Sequence, residues 1–350
     1  MSRKGALLRG SAAALAAVAA LSTAAAPAAA EPNHGHADEP VVIAHRGASG
    51  YLPEHTLEAY KLAVVLGADV IEPDLVLTAD GELLARHEPM LSGTTDVSEH
   101  PEFADRKTTK TIDGQAVTDW FADDFTLAEL GTLRAEERIP ELRPQSAVWD
   151  GKFELVTYDE VLDFVDGLRR EVITYPEMKH PSYYKEMGLS IEDALADLLE
   201  ERELDEEDSP VWVQSFEYPS LVEIDERIDN PVGLNIGGSG DISDADLDLY
   251  ADTLDTISLN KDRIVPRDED GYLLKPTDVV DRAHERGLEV HVWTFRNENA
   301  FLPADFQKGH KESKWGHYRD EYELFFGLGV DAVFSDYPDK AVAARYWSKS

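Results

Sequence analysis

Short runs rich in β-branched and aromatic residues alternate, through most of this chain, with stretches whose apolar residues recur at helical spacing. The runs that read as strands are Val41–Ala44, Val70–Val76, Val172–Pro176, Val211–Phe216, Val232–Ile236, Thr256–Leu259, Glu289–Phe295 and Ala332–Ser335. Helical spacing holds over Leu57–Leu66, Tyr158–Arg169, Ile191–Leu199, Asp278–Arg286 and Glu321–Phe326. Strands alternating with helices give a parallel sheet, because each strand needs a long crossover to return beside its neighbour in the same direction. Eight such strands predict an α/β fold, a TIM (β/α)8 barrel.

A ninth run, Leu83–Arg86, does not belong to that count. Only Ala79-Asp80-Gly81 and a residue or so part it from Val76–Thr78, which is too short for a crossover and suits an Asp-Gly hairpin. Glu82–His87 is therefore expected to fold back beside the end of strand two. From about Pro89 to Asp150 the rhythm stops: the chain is polar and turn-rich, with one short helix near Leu127–Leu133. Loops of this length are usually functional, so the stretch is predicted to be an insertion between strand two and its helix, capping the barrel mouth. A second, smaller insertion runs from about Asn297 to Arg319.

The N-terminus follows a different pattern. Arg3, Lys4 and Arg9 form a basic start before the small, apolar stretch Ser11–Ala25, and Ala28-Ala29-Ala30 offers a cleavage site before Glu31, so residues 1–30 read as a signal peptide. The competing reading is a membrane anchor. It is weakened by the short, Ala-rich run and by the lack of a second apolar run of roughly 18 residues. Residues 31–39 read as a flexible linker whose His34 and His36 could also meet a metal, and residues 40–350 as one folded domain. The expectation is a secreted protein, extracellular or periplasmic, with no stable membrane association.

Composition narrows the chemistry. The 350 residues include no Cys, which excludes disulfides, thiolate metal sites and a cysteine nucleophile. The formal charge is −37, and loss of the leader would deepen it by three. Such a surface argues against nucleic acid or anionic membrane as a partner. An anionic substrate would need positive charge concentrated at the site.

In a barrel of this type the site lies at the C-terminal ends of the strands. There the sequence places His45-Arg46-Gly47 after strand one, Glu72 and Asp74 on one face of strand two, Glu177 and Lys179 on strand three, and His87-Glu88 at the end of the hairpin. Glu72, Asp74 and Glu177 near one point suit a hard divalent cation, Ca²⁺ or Mg²⁺; the alternative is that they pair with Lys and Arg at the rim. His45 and His87 titrate near neutral pH and could act as base and acid. Arg46 and Lys179 could hold phosphate oxygens. Trp293 fits either a pocket wall or the core.

The stretches His45–Tyr60 (HRGASGYLPEHTLEAY), Gly67–Pro89 (GADVIEPDLVLTADGELLARHEP), Thr94–Val97 (TTDV) and Tyr175–Pro181 (YPEMKHP) resemble the bacterial glycerophosphodiester phosphodiesterases, especially the longer secreted or periplasmic ones. Val213–Phe216, Val292–Thr294 and Phe334–Asp339 extend the resemblance over nearly the whole chain after the leader. It implies a TIM barrel with an insertion after the second strand, His45 and His87 as the acid/base pair, and Glu72, Asp74 and Glu177 as metal ligands. It also implies Arg46 and Lys179 near the phosphate and Glu54 as a supporting residue. His55, beside Glu54, reads by position as a helix-start residue. Many members of the family have His-Asp where this chain has His87-Glu88, which leaves the supporting role of Glu88 open.

The activity implied is metal-dependent hydrolysis of small glycerophosphodiesters to glycerol 3-phosphate and an alcohol. The nucleophile is either a substrate hydroxyl or water. The rival substrates on the same barrel are teichoic acid and lysophospholipid. A binding protein without catalysis is disfavoured because both histidines and all three carboxylates are present. A glycoside hydrolase would have no need of His45, Arg46, His87 and Lys179 together. Oligomeric state is open.

Overall fold

The computed structural model describes residues 39–347. The expected signal peptide, and the linker apart from Glu39, lie outside these residues. Eight strands follow one another: β1 (Val41–His45), β2 (Val70–Glu72, continued as Asp74–Leu77), β3 (Ile173–Thr174, continued as Glu177–Met178), β4 (Val213–Ser215), β5 (Val232–Ile236), β6 (Thr256–Asn260), β7 (Glu289–Phe295) and β8 (Ala332–Ser335). Each pairs in parallel with the next, and β8 returns to β1 with Val41 opposite Ala332, so the sheet closes into the TIM barrel.

Proline breaks β2 at Pro73 and β3 at Pro176, where a ladder N–H is missing. The pairing continues through the carbonyls: Glu177 N–H donates to Pro73 O and Gln214 N–H to Pro176 O, both at 2.9 Å. This is why two strands that read as continuous in sequence are each split in two.

Eight helices cover the outside: Leu57–Val65, Tyr158–Asp166, Ile191–Glu201, Tyr218–Asp225, Asp244–Ala251, Val279–His284, Tyr318–Gly327 and Pro338–Trp347. Three of them carried too little periodicity to be read from sequence. Asp244–Ala251, for example, carries three Asp among its eight residues and buries only Leu247. No helix among the described residues is long and apolar enough to cross a membrane.

Alternation along the strands decides what the barrel encloses. Val42 and Ala44 belong to the large core beneath the helices. Val41, Ile43, Val70, Tyr175, Trp212 and Phe334 form a separate cluster that fills the barrel floor. Extending the same columns toward the strand C-termini gives His45 on β1, Glu72 and Asp74 on β2, Glu177 on β3 with Lys179 just past it, Gln214 on β4 and Asp336 after β8. An apolar floor therefore carries a polar, ionisable layer. Gly233 on β5 makes room for that floor, since a Cβ there would lie 2.2 Å from the Tyr175 hydroxyl.

Leu83–Ala85 pairs antiparallel with the second half of β2, as the short Asp-Gly connection predicts. The region that follows is more ordered than its sequence suggests. It holds the expected short helix (Leu127–Leu130) and also a two-stranded hairpin, Thr108–Ile112 with Gln115–Asp119. Both residues of its Asp113-Gly114 turn have positive φ, the geometry of a tight hairpin turn. The strands are mostly exposed and polar, so no apolar alternation announced them.

Candidate active site

A cavity of about 120 Å³ opens among the strand C-termini, with His45, Arg46, His87, Glu177, Lys179 and Trp293 in its wall. Strand register brings the acidic residues together, with His45 opposite Glu72 and Asp74 opposite Glu177. Ligand oxygens of Glu72, Asp74 and Glu177 lie within 4.8 Å of one another, all three side chains buried. This is an acidic group capable of holding a metal ion.

The protein fixes each of the three. The Arg46 backbone N–H donates to Glu72 Oε2 at 2.7 Å, and Lys179 Nζ donates to Glu177 Oε1 at 2.6 Å. Asp74 Oδ2 accepts from His55 Nε2 at 2.9 Å and meets Arg46 Nε at 3.2 Å. Against the cost of burial, Lys179 and Arg46 hold the Asp74 carboxyl well below the usual range. Two cations do not balance three carboxylates, however. Burial, together with Asp74, pushes the Glu72 carboxyl far up, and burial pushes Glu177 up despite Lys179. An all-oxygen donor set with uncompensated negative charge fits a hard divalent cation.

The two histidines differ in setting. His45 ends β1, and its Nδ1 lies 2.6 Å from Asp336 Oδ1. Against burial, Arg143 and Arg296 keep Asp336 ionised. An ionised carboxylate can only accept, so Nδ1 carries the proton and Nε2 is left with its lone pair. Burial and then Arg46 lower the His45 pKa to about 4. His87 leaves the hairpin with its Nδ1 bonded to Glu88 Oε2, and its side chain is 34% exposed where that of His45 is 10%. Its pKa is also lowered, by burial and by Arg46 and Lys179. Both rings are neutral near pH 7, each with Nε2 as acceptor.

Apart from His34 and His36, which lie outside the described residues, the site residues singled out from sequence lie in or directly behind this cavity. Trp293 stands in the wall, its Nε1 donating to Ser258 O at 2.9 Å and its ring 5.6 Å from that of Phe216. Glu54 lies behind Arg46, accepting from its Nη1 at 3.1 Å, and Glu88 lies behind His87. His55 does more than start a helix. It is fully buried with φ 55° and passes a hydrogen-bond chain from the Tyr60 hydroxyl, 2.8 Å from its Nδ1, to Asp74.

Sequence reasoning missed Asp336, Arg138, Arg143 and Arg296. Asp336 follows the last barrel strand directly, a position that could have marked it. Arg296 likewise follows β7 directly, whereas Arg138 and Arg143 lie in an irregular segment of the insertion and left no such signal. It also missed Gln214 Oε1 and Asn235 Oδ1, two buried acceptors on cavity-lining residues that have no hydrogen-bond partner among the described residues.

The profile of the Glycerophosphoryl diester phosphodiesterase family matches residues 45–340. A glycerophosphodiester phosphodiesterase of Arabidopsis thaliana is 38% identical over 323 residues, covering 85% of this chain and 84% of the relative. One from Haemophilus influenzae is 28% identical over 351 residues, covering 86% and 88%. Among solved structures, a phosphodiesterase of Oleispira antarctica in complex with the product sn-glycerol-3-phosphate superposes with a TM-score of 0.61 at 21% identity, covering 87% of this chain and 96% of that one. A glycerophosphoryl diester phosphodiesterase from Silicibacter pomeroyi gives 0.64 at 20% identity, covering 90% and 96%.

Proposed function

The chain belongs to the glycerophosphoryl diester phosphodiesterase family and has its phosphodiesterase activity; from that premise we propose that His45 and His87 are its acid/base pair, working beside a divalent cation held by Glu72, Asp74 and Glu177. The observation that carries this reading is that both imidazoles share one cavity wall with Glu72 and Glu177, two members of the buried carboxylate trio. The substrate is a small glycerophosphodiester, and the products are glycerol 3-phosphate and an alcohol. The Oleispira enzyme's bound product supports that choice. The cation is Ca²⁺ or Mg²⁺, which would polarise a phosphoryl oxygen and lower the pKa of a bound hydroxyl.

The chain's own groups do the rest. Arg46 and Lys179 stay charged despite burial because carboxylates surround them, and they offer donors to the non-bridging phosphate oxygens. Gln214 and Asn235 leave buried acceptors that glycerol hydroxyls would satisfy, which selects for a hydroxylated substrate. One histidine takes the nucleophile's proton on Nε2 and becomes an imidazolium facing its carboxylate. The other, protonated on Nε2 once the substrate's anionic phosphate is bound beside it, gives that proton to the departing oxygen. The same dyad geometry at both rings permits either order.

Export follows from the leader pattern, Arg3 to Ala30, and is part of the same proposal. The test is glycerol 3-phosphate release from several glycerophosphodiesters by the wild-type chain and by His45→Ala and His87→Ala, after chelation and after Ca²⁺ or Mg²⁺ is restored. Loss of an acid or base group lowers turnover by roughly 10²–10⁴-fold. Wild-type kcat in either variant would refute the pair, and full activity in chelator would refute the cation. Release from teichoic acid or lysophospholipid alone would move the substrate assignment.

A further inference from the structure

One short turn of the insertion, residues 138–143, reaches the carboxylate behind each histidine. Arg138 grips Glu54 with Nε and Nη2 at 2.9 and 2.7 Å, and its Nη1 lies 2.8 Å from Glu88 Oε1. The other oxygen of Glu88 accepts from His87 Nδ1. Arg143 places Nη2 on Asp336 Oδ2, while Asp336 Oδ1 accepts from His45 Nδ1 at 2.6 Å. The rest of that guanidinium holds Glu298 at 2.7 Å and the Ser49 carbonyl at 3.1 Å. Each histidine thus ends a chain of arginine, carboxylate and imidazole, and the two chains begin five residues apart.

We propose that Arg138 and Arg143 are positioning residues, and that this turn of the insertion is the bracket that aims both imidazoles. The inference rests on the reading of His45 and His87 as the acid/base pair. A carboxylate tied through one oxygen to a guanidinium can no longer swing, so its second oxygen fixes the ring that donates to it. The fixed ring sets where Nε2 points, and small errors of aim at a reacting atom are costly in rate. The bracket is itself anchored. Ile139 O accepts from the N–H groups of Leu142 and Arg143 at 2.9 Å, Ile139 N–H donates to Glu137 at 3.0 Å, and Glu137 N–H donates to Asp150 at 2.7 Å. A long insertion after strand two is thereby explained as part of the catalytic geometry as well as a cap.

Steady-state kinetics of the full-length enzyme on a glycerophosphodiester, with thermal unfolding measured alongside, tests the bracket. Arg138→Met and Arg143→Met should each lower kcat by about tenfold or more and change KM by less than about threefold, the signature of lost transition-state geometry. Each arginine acts through its carboxylate, so Arg138→Met/Glu88→Gln and Arg143→Met/Asp336→Asn should be no slower than the slower of their single variants. An unchanged kcat, a change confined to KM, or losses that multiply in the double variants would overturn the proposal. Arg143 also neutralises buried Glu298, so if Arg143→Met fails to fold, Arg143→Lys carries that arm. It keeps the charge but cannot fork, and it should lower kcat at unchanged KM; wild-type kcat there would equally overturn the bracket. His45→Ala and His87→Ala serve as the reference. If they lose activity while the arginine variants do not, only the bracket fails; if they keep it, the acid/base reading itself fails.

Discussion

His45 is neutral in the folded chain because burial and Arg46 hold its pKa near 4, whereas in the unfolded chain it titrates near 6.5. Below pH 6.5 the unfolded state takes up a proton that the folded state declines until about pH 4. The stability tied to the neutral ring is therefore present above 6.5 and lost as pH falls toward 4. Glu72 and Glu177, whose pKa values are raised, push the other way as pH falls, so the informative quantity is the difference between two chains. In chelator, the wild-type urea midpoint should decline more steeply between pH 6.5 and 4 than that of His45→Asn. Equal slopes would mean that His45 is not the source. At this scale the sequence was legible for residues on or just past a predicted strand, as His45, Asp74 and Glu177 are, although Asp336 holds the same kind of position and was passed over. It was opaque for Arg143, which reaches Asp336 from an irregular stretch of the insertion whose path no periodicity encodes.

The strands were readable because each needs an apolar column on both faces, one toward the helices and one toward the floor. Val232–Ile236, Glu289–Phe295 and Ala332–Ser335 match their expected bounds for that reason. The exposed hairpin Thr108–Asp119 has no such column and went unread. The floor is also where a strand can be tested. A Cβ on Gly233 would sit 2.2 Å from the Tyr175 hydroxyl and 2.3 Å from Thr256 Oγ1, inside a hydrogen-bonded pair at 3.0 Å. Gly233→Ala should therefore destabilise the barrel by about 1–3 kcal/mol, the usual range for overpacking, read as a lowered urea midpoint at unchanged m-value. Adding Tyr175→Phe removes the nearest atom and should recover part of that loss. No recovery would place the clash elsewhere.

At the scale of the whole molecule, a chain of formal charge −37 has to capture a phosphodiester. Arg46, Lys179 and Arg296 stand in the cavity wall, where together with a bound cation they would offset the carboxylates, while the chain as a whole is strongly acidic. A net-anionic substrate such as glycerophosphoglycerol meets long-range repulsion before it meets those groups, whereas zwitterionic glycerophosphocholine carries no net charge for that field to act on. Added salt shortens the reach of the field, to about 8 Å at 0.15 M, and leaves contacts inside the cavity far less affected. Raising NaCl from low to physiological strength at fixed saturating divalent cation should therefore increase kcat/KM for glycerophosphoglycerol and leave that for glycerophosphocholine nearly flat. If the two substrates responded alike, the acidic surface would have no part in selecting them. A fall for the anionic substrate would mean that the cations at the cavity, and not the surface around it, govern the approach.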